Sequence, residues 1–443
     1  MNNKIIALYE AHDVKALAEL LGRMNVADIA EQLTELNEQV AVKVFRMLGK
    51  DKAAEVFAHL DRDTRRQIIR SITDAEVGAL MDGLFVDDAV DVIEEMPAGV
   101  VTRILANVPA GKRETINQFL QYPDDSVGSI MTIEFVELKT EMTVREAFAH
   151  IRETGVDKET IYTCYVIAED RRLLGIVTVR AMLLADFDAK IGDMMETDMI
   201  FAHTLEDQES LMAKFRKYDF IALPVVDEED RLVGIVTVDD AFDVQEEEAT
   251  EDFEIMAAMS PSETPYLKTS VFRLTKNRIL WLLLLMLSAT ATGAIIAGFE
   301  DALAAVPALV AFIPMLMDTG GNAGSQSSTL IIRGMALEEI APRDAGRVLW
   351  KEIRVAVLCG AVLVVVNYLR IVITGGTQLM ALTVSLALYT TVVLAKMVGC
   401  LLPIVAKRLG ADPAVMASPV ITTIVDAASL AFYFLLASAI LHI

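Results

Sequence analysis

Asp426 stands about halfway along the last apolar stretch of the chain, in the run Ser-Pro-Val-Ile-Thr-Thr-Ile-Val-Asp-Ala-Ala-Ser-Leu. An ionisable group in hydrocarbon is expensive and normally faces a partner or a water path. Its carboxylate offers the hard oxygen ligand that divalent cations prefer, and Thr422 and Thr423, one turn earlier, add hydroxyls toward the same path. The competing assignment is a structural ion pair with Lys396 in the preceding apolar stretch. One aspartate cannot cage a bare ion. It can hold a hydrated one where two subunits meet on an axis.

A second polar set lies in Ala-Phe-Ile-Pro-Met-Leu-Met-Asp-Thr-Gly-Gly-Asn-Ala-Gly-Ser-Gln, residues 311–326. Pro314 and glycines 320, 321 and 324 predict an interrupted helix, which survives at membrane depth only inside protein or along a water-filled cavity. Asp318, Asn322, Ser325 and Gln326 add polar groups there. Close helix packing through small residues is the alternative. A third set is acidic: six of the nine residues from Glu246 to Glu254 are Asp or Glu. Such a run is either a solvated helix face or a cluster whose repulsion bound cations relieve.

The elements that must position these residues follow from periodicity. Nine-residue blocks recur every twelve residues from Asp28 to Leu120, with an apolar ninth position (Leu36, Leu48, Leu60, Ile72, Leu84, Met96, Val108, Leu120). The fifth position is apolar in all but the first block, where Gln32 stands. Positions four apart share a helix face, so short helices should stack into a superhelical domain over 1–126. Residues 127–188 and 189–245 carry a second repeat: Arg172-Leu-Leu-Gly-Ile-Val-Thr-Val179 matches Arg231-Leu-Val-Gly-Ile-Val-Thr-Val238. Each is preceded by another strand and an acidic turn, which fits two βαββα units. Residues 246–267 form a connecting helix. Over 268–443, five stretches are long and apolar enough to span a membrane: roughly 279–298, 303–331, 353–373, 379–405 and 414–441. The short loops alternate between basic and non-basic, placing the N-terminus inside and the C-terminus outside. The predicted fold is thus multidomain: an α-helical superhelix, an α/β tandem pair and an all-α membrane domain of five spans.

Charge divides at the same boundary. From Lys268 onward there are 13 Lys/Arg and 9 Asp/Glu, whereas residues 1–267 hold 26 and 54. The acidic half disfavours nucleic acid and favours cations, and the mean hydropathy of +0.43 comes from the other half. Cys164, Cys359 and Cys400 have no CxxC spacing, and the five histidines are scattered, so neither a disulfide framework nor a zinc site is expected. The opening run lacks a signal peptide's apolar core. No hydrolase or kinase motif is present, so an enzyme is not expected.

Residues 127–245 resemble a pair of CBS domains, which dimerise and often bind adenosine nucleotides. Gly234-Ile-Val-Thr237-Val-Asp-Asp240 looks like that family's ribose-binding motif. Ala181 replaces the corresponding aspartate in the first repeat, so at most one ATP site, at Thr237 and Asp240, is implied. The chain as a whole resembles the MgtE family of magnesium channels, on Pro314…Gly-Gly-Asn-Ala-Gly-Ser-Gln326, the Val238–Asp252 run and Asp426 in the last span. The resemblance implies a homodimer in the plasma (inner) membrane, in contact with lipid, with Asp426 binding hydrated Mg²⁺ between protomers. Asn322, Gln326, Thr422, Thr423, Ser418 and Asp318 are the accompanying pore-lining candidates. Ser418 departs from the expected Asn before Pro419, and Asp318 adds an acid beside the glycines. The resemblance also implies cytoplasmic Mg²⁺ sensing by Glu55, Asp87, Asp91, Asp207, Glu209, Asp219, Asp240, Glu248, Glu251 and Asp252, with closure of the pore when these acids are bridged. A transporter coupled to Na⁺ or H⁺ and a non-conducting cation sensor are the alternative functions.

Overall fold

The twelve-residue repeat becomes one short helix per block. The computed structural model describes residues 2–262, 266–337 and 339–442, with the side chains of Asn2, Asn3 and Ser418 outside that description. Two leading helices, α1 (Asn2–Glu10) and α2 (Val14–Arg23), precede the blocks. The blocks themselves lie on α3 (Val26–Glu35), α4 (Glu38–Phe45), α5 (Lys50–Ala58), α6 (Arg62–Ser71), α7 (Asp74–Gly83), α8 (Val86–Glu94), α9 (Ala98–Asn107) and α10 (Ala110–Phe119). The fifth position of each block is the seam: Val44, Val56, Ile68, Val92, Ile104 and Ile116 are fully buried. Polar residues start the helices, as Asn25, Asn37, Asp61 and Thr73 cap backbone N–H groups with their side chains. Odd helices pack on odd and even on even, α3–α5–α7–α9 and α4–α6, α8–α10. The expected superhelix is therefore present as two layers.

The second repeat gives two small three-stranded sheets. In the first, β1 (Glu137–Leu138) runs parallel to β2 (Thr163–Ile167), which pairs antiparallel with β3 (Leu173–Thr178). Helix α11 (Val144–Thr154) crosses over between β1 and β2, and α12 (Val179–Leu184) follows β3. After the short α13 (Ile191–Met194), the second unit repeats the plan. Its β4 (Ala202–His203), α14 (Gln208–Tyr218), β5 (Ala222–Val226) and β6 (Leu232–Thr237) lead into α15 (Val238–Met256). The helical layers and the second sheet share one apolar core that includes Ile93, Ile104, Leu211, Val225, Val236 and Ala241. The boundary placed at 245/246 falls inside α15, because the acidic connecting helix is a direct continuation of the helix that closes the second unit. The chain divides into two compact units at nearly the same place, 1–244 and 245–443.

The second unit holds α16 (Val271–Gly298), α17 (Glu300–Ala305), α18 (Ile313–Ala336), α19 (Ala345–Ile373), α20 (Gln378–Arg408) and α21 (Ser418–Leu441). Among the described residues four segments are long and apolar enough to cross a membrane: Val271–Gly298, Pro342–Ile373, Gln378–Arg408 and Pro413–Leu441. Helix α18 is the fifth long helix but carries the polar residues counted above. Its structure corrects two expectations. The stretch expected from 303 is divided: α17 ends at Ala305, a 3₁₀ turn covers Pro307–Phe312, and the long helix begins only at Ile313. And α18 is one unbroken helix. Pro314 sits in its first turn, where the missing N–H costs no hydrogen bond, and the glycines bring neighbouring helices close instead of interrupting it. A Cβ on Gly320 would lie 2.8 Å from Thr391 Cγ2 of α20, one on Gly321 2.8 Å from Thr422 Cγ2 of α21, and one on Gly399 would overlap the Gly324 carbonyl.

The α18–α20 crossing should therefore tolerate no added methyl. Gly399→Ala is expected to cost about 1–3 kcal/mol, the usual range for overpacking, read as a lower Tm of the detergent-solubilised protein. Gly293→Ala, inside α16 where the space is open, should leave Tm unchanged or raise it slightly; equal Tm for both variants would sink this account of the crossing.

Candidate functional site

Two clusters of polar groups stand out, one in each unit. In the membrane unit, Gly320, Gly321 and Gly324 give one face of α18 to α20 and α21, and this leaves Asp318, Asn322, Gln326 and Thr329 exposed on the opposite side, at helical spacing. On α21, Asp426 is half-buried, and its Oδ1 is enclosed without a hydrogen-bond partner. Thr391 Oγ1 and Ser429 Oγ, on residues that both touch Gly320, are also enclosed without partners. Unsatisfied oxygens at membrane depth call for water or a cation.

The ion pair weighed for Asp426 is not formed. Lys396, 5% exposed, instead donates to Ser327 Oγ at 3.2 Å and lies 3.9 Å from Glu352 Oε2. Ser327 Oγ donates to the same Glu352 oxygen at 2.6 Å. Thr422 and Thr423 carry a second correction, since both hydroxyls donate to the Pro419 carbonyl, at 2.9 and 3.0 Å. Their protons serve the helix, and only lone pairs remain for a path. The side chain of Ser418 lies outside the described residues.

In the first unit, the acids of α8 come close to those at the start of α15. Burial pushes Asp87 well up, and Asp240 and then Asp88 add repulsion. Asp88 is raised chiefly by burial, and Asp91, which solvent still reaches, is raised to about 7 by desolvation and by Asp88. Glu159 reaches about 7 through burial, then Asp239 and Asp240, while burial raises Asp240 to about 6. Arg65 offsets part of the repulsion at Asp88 and Asp91, and Lys112 part of that at Asp88, while each also bonds other groups. Arg65 pairs with Glu95 and the Ala58 carbonyl, and Lys112 bonds the carbonyls of Asp82 and Leu84. Of the acids singled out in the sequence, Asp87, Asp91 and Asp240 are thus brought together. Asp88, Glu159 and Asp239 join them unannounced, because only the docking of α8 on the sheet domains reveals them.

The other acids stand apart from that cluster in role. Glu55 and Glu209 are exposed. Asp207 caps α14 by accepting from the Glu209 N–H at 2.8 Å, and Asp219 ends the same helix in the left-handed conformation, φ 55°. Glu248, Glu251 and Asp252 lie on α15 beyond the first unit. The end of that helix is tied to α16: Glu254 accepts from the Ser262 N–H at 2.7 Å, and the Ser260 N–H donates to Asn277 O at 2.9 Å. Among the described residues no three His, Cys, Asp or Glu converge closely enough to hold a metal ion. The oxygen-only, mutually repelling cluster suits Mg²⁺ that keeps its water and is contacted through it.

The nucleotide pair is joined by a hydrogen bond: Thr237 Oγ1 donates to Asp240 Oδ2 at 2.5 Å, and Asp240 also belongs to the acidic cluster. A cleft of about 440 Å³ in the sheet domains is lined by Phe135, Glu137, His150, Lys158, Arg171 and Val233.

Comparison with known proteins agrees with this architecture. Residues 313–436 match the family model MgtE, described as a divalent cation transporter; residues 24–125 match the MgtE intracellular N domain, and 127–188 and 191–247 match the CBS domain. The magnesium transporter MgtE of Thermus thermophilus is 35% identical over 97% of this chain and 96% of its own length. That of Bacillus subtilis is 32% identical over 99% and 97%. Among solved structures, the cytosolic domain of the Mg²⁺ channel MgtE in complex with ATP is 32% identical, covers 55% of this chain and all of that one, and superposes with a TM-score of 0.53. The chain belongs to the MgtE family.

The acidic cluster has a definite pH signature. An acid whose pKa rises to about 6–7 on packing binds its proton there before it does when separated, at about 4. The packed arrangement therefore strengthens as pH falls through 7 toward 4 and weakens as pH rises. In the absence of divalent cations, protease resistance of the linker near residues 120–127 in the full-length protein should be greater at pH 6 than at pH 8. Asp87→Asn with Asp91→Asn should flatten that dependence.

Proposed function

We propose that this protein carries Mg²⁺ across the plasma (inner) membrane as a homodimer, with Asp426 as the ion-binding residue, and that cytoplasmic Mg²⁺ closes the path. The reading is supported first by the family, whose relatives in Thermus thermophilus and Bacillus subtilis are named magnesium transporters. The single observation that carries the site is the enclosed, unpartnered Oδ1 of Asp426 beside the glycine face of α18. A carboxylate there can accept hydrogen bonds from the water shell of an ion that dehydrates reluctantly, and the stripe Asp318, Asn322 and Gln326 on the other side of α18 offers further oxygens where a second protomer completes the path. The side chain that would have neutralised it, Lys396, is held by Glu352 and Ser327.

In the acidic half, Asp87, Asp88, Asp91, Glu159 and Asp240 would hold regulatory Mg²⁺, with Glu248, Glu251 and Asp252 of α15 added. Bound there, the cation supplies charge neutralisation. With their charges unopposed, the carboxylates drive α8 and α15 apart, and with repulsion removed the shared apolar core holds them together. Because the acidic helix α15 runs on toward α16, its position is the natural link between charge state and path, as a shift of populations. The side N-terminal to α16 faces the cytoplasm in this reading, and the C-terminus lies outside. ATP would bind at Thr237 and Asp240, as the sequence motif implies.

Purified protein in proteoliposomes tests these statements. Asp426→Asn should raise the half-saturating Mg²⁺ concentration roughly 10- to 100-fold, the worth of one or two hydrogen bonds to a charged group at about 1.5–3 kcal/mol; wild-type flux would reject the site. Flux that follows the Mg²⁺ gradient with no Na⁺ or pH gradient is expected of a channel, and obligate dependence on either would establish the coupled transporter instead. In patch recordings, Glu248→Gln, Glu251→Gln and Asp252→Asn together should weaken closure at high cytoplasmic Mg²⁺. Unchanged inhibition would remove α15 from the gating.

A further inference from the structure

The buried chain Glu352–Ser327–Lys396 has no part in the ion path as described, yet it ties three helices together. Ser327 belongs to α18, Glu352 to α19 and Lys396 to α20, and none of the three side chains is more than slightly exposed. The hydroxyl is fully used, accepting from Lys396 Nζ at 3.2 Å and donating to Glu352 Oε2 at 2.6 Å.

Its members stand toward the same helix ends as Asp426. The C-terminal ends of α18 and α20 and the N-terminal ends of α19 and α21 lie on one side, since consecutive spanning helices alternate. From those ends, at 1.5 Å per residue, Glu352 is about 10 Å in, Ser327 about 14 Å and Lys396 about 18 Å, with Asp426 about 12 Å. All four thus stand within about four turns of those ends.

Its position on α18 is equally specific. Ser327 is one turn beyond Gly324, whose carbonyl meets Gly399 of α20 so closely that no side chain fits between them. A glycine contact fixes distance but little else, because a smooth backbone surface allows rotation. The Lys396 and Glu352 hydrogen bonds supply the missing angular constraint, and rotation of α18 would swing Asn322 and Gln326 relative to Asp426.

We propose that Glu352, Ser327 and Lys396 are positioning residues that fix the rotation of α18 and thereby set the preference among divalent cations. This rests on the assignment of Asp426 and the α18 stripe to the ion path. Ions of different size and hydration are told apart by where the polar groups stand, so a small rotation alters preference more than it alters capacity.

The test uses the full chain in proteoliposomes, with Mg²⁺ and Ca²⁺ as the ions actually offered. Ser327→Ala cuts the chain while keeping both charges, and Glu352→Gln/Lys396→Met removes both charges together, so no buried charge is stranded. Gel filtration and Tm establish which variants fold. Each folded variant is expected to shift the Mg²⁺/Ca²⁺ flux ratio and half-saturating Mg²⁺ about fivefold or more, with maximal flux less affected. If the double variant does not fold, Ser327→Ala alone decides. Wild-type ratio and half-saturation in folded Ser327→Ala overturn the proposal whatever Asp426→Asn does. Wild-type flux in Asp426→Asn overturns the ion-site assignment whatever the positioning variants do.

Discussion

A carboxylate removed from bulk water must be protonated, paired or served by a cation, and this molecule places carboxylates in that situation twice. At the α8–α15 contact the acids are crowded by packing that is otherwise favourable: the apolar core beneath them is continuous from the helical layers to the second sheet. Hydrophobic burial draws the surfaces together while charge resists. Two opposed terms of that kind leave an equilibrium that a small amount of bound positive charge can tip. Arg65 and Lys112, which also bond Glu95 and backbone carbonyls, offset only part of that repulsion.

In the membrane unit the same cost is handled in two ways side by side. Glu352 is compensated internally, by a lysine and a hydroxyl, and so has no need of an external ion. Asp426, a comparable distance along its helix, receives no such partner. A buried pair broken on one side leaves an uncompensated charge, which is far more costly than the pair itself. Lys396, placed against Glu352 and Ser327, therefore leaves the Asp426 carboxylate without an internal counter-charge.

How much of this could be read from the chain depended on whether the relevant contact was local. The helical repeat was legible to the residue because each buried seam position, from Val44 to Ile116, recurs in register with its own helix. The paired sheets were legible because Leu173–Thr178 and Leu232–Thr237 are near copies. Helix α18 was misjudged as broken because glycine and proline weaken an isolated helix; here Pro314 lies in the first turn and the glycines are needed for contact. Helix partners were not legible at all. Nothing local relates Lys396 to Glu352 or Ser327, and Asp88, Glu159 and Asp239 became neighbours of Asp87 only through docking of separate repeats.

The continuity of α15 sharpens how the two situations are related. A flexible linker between the acidic half and the membrane helices would absorb any rearrangement at the cluster. An unbroken helix from Val238 to Met256 cannot, since Asp239 and Asp240 at one end belong to the repelling cluster while Glu254 at the other accepts a hydrogen bond from Ser262, whose neighbour Ser260 is bonded to α16. Between these ends the helix is acidic and almost without apolar burial, with only Ala241 and Val244 buried, both in its first two turns.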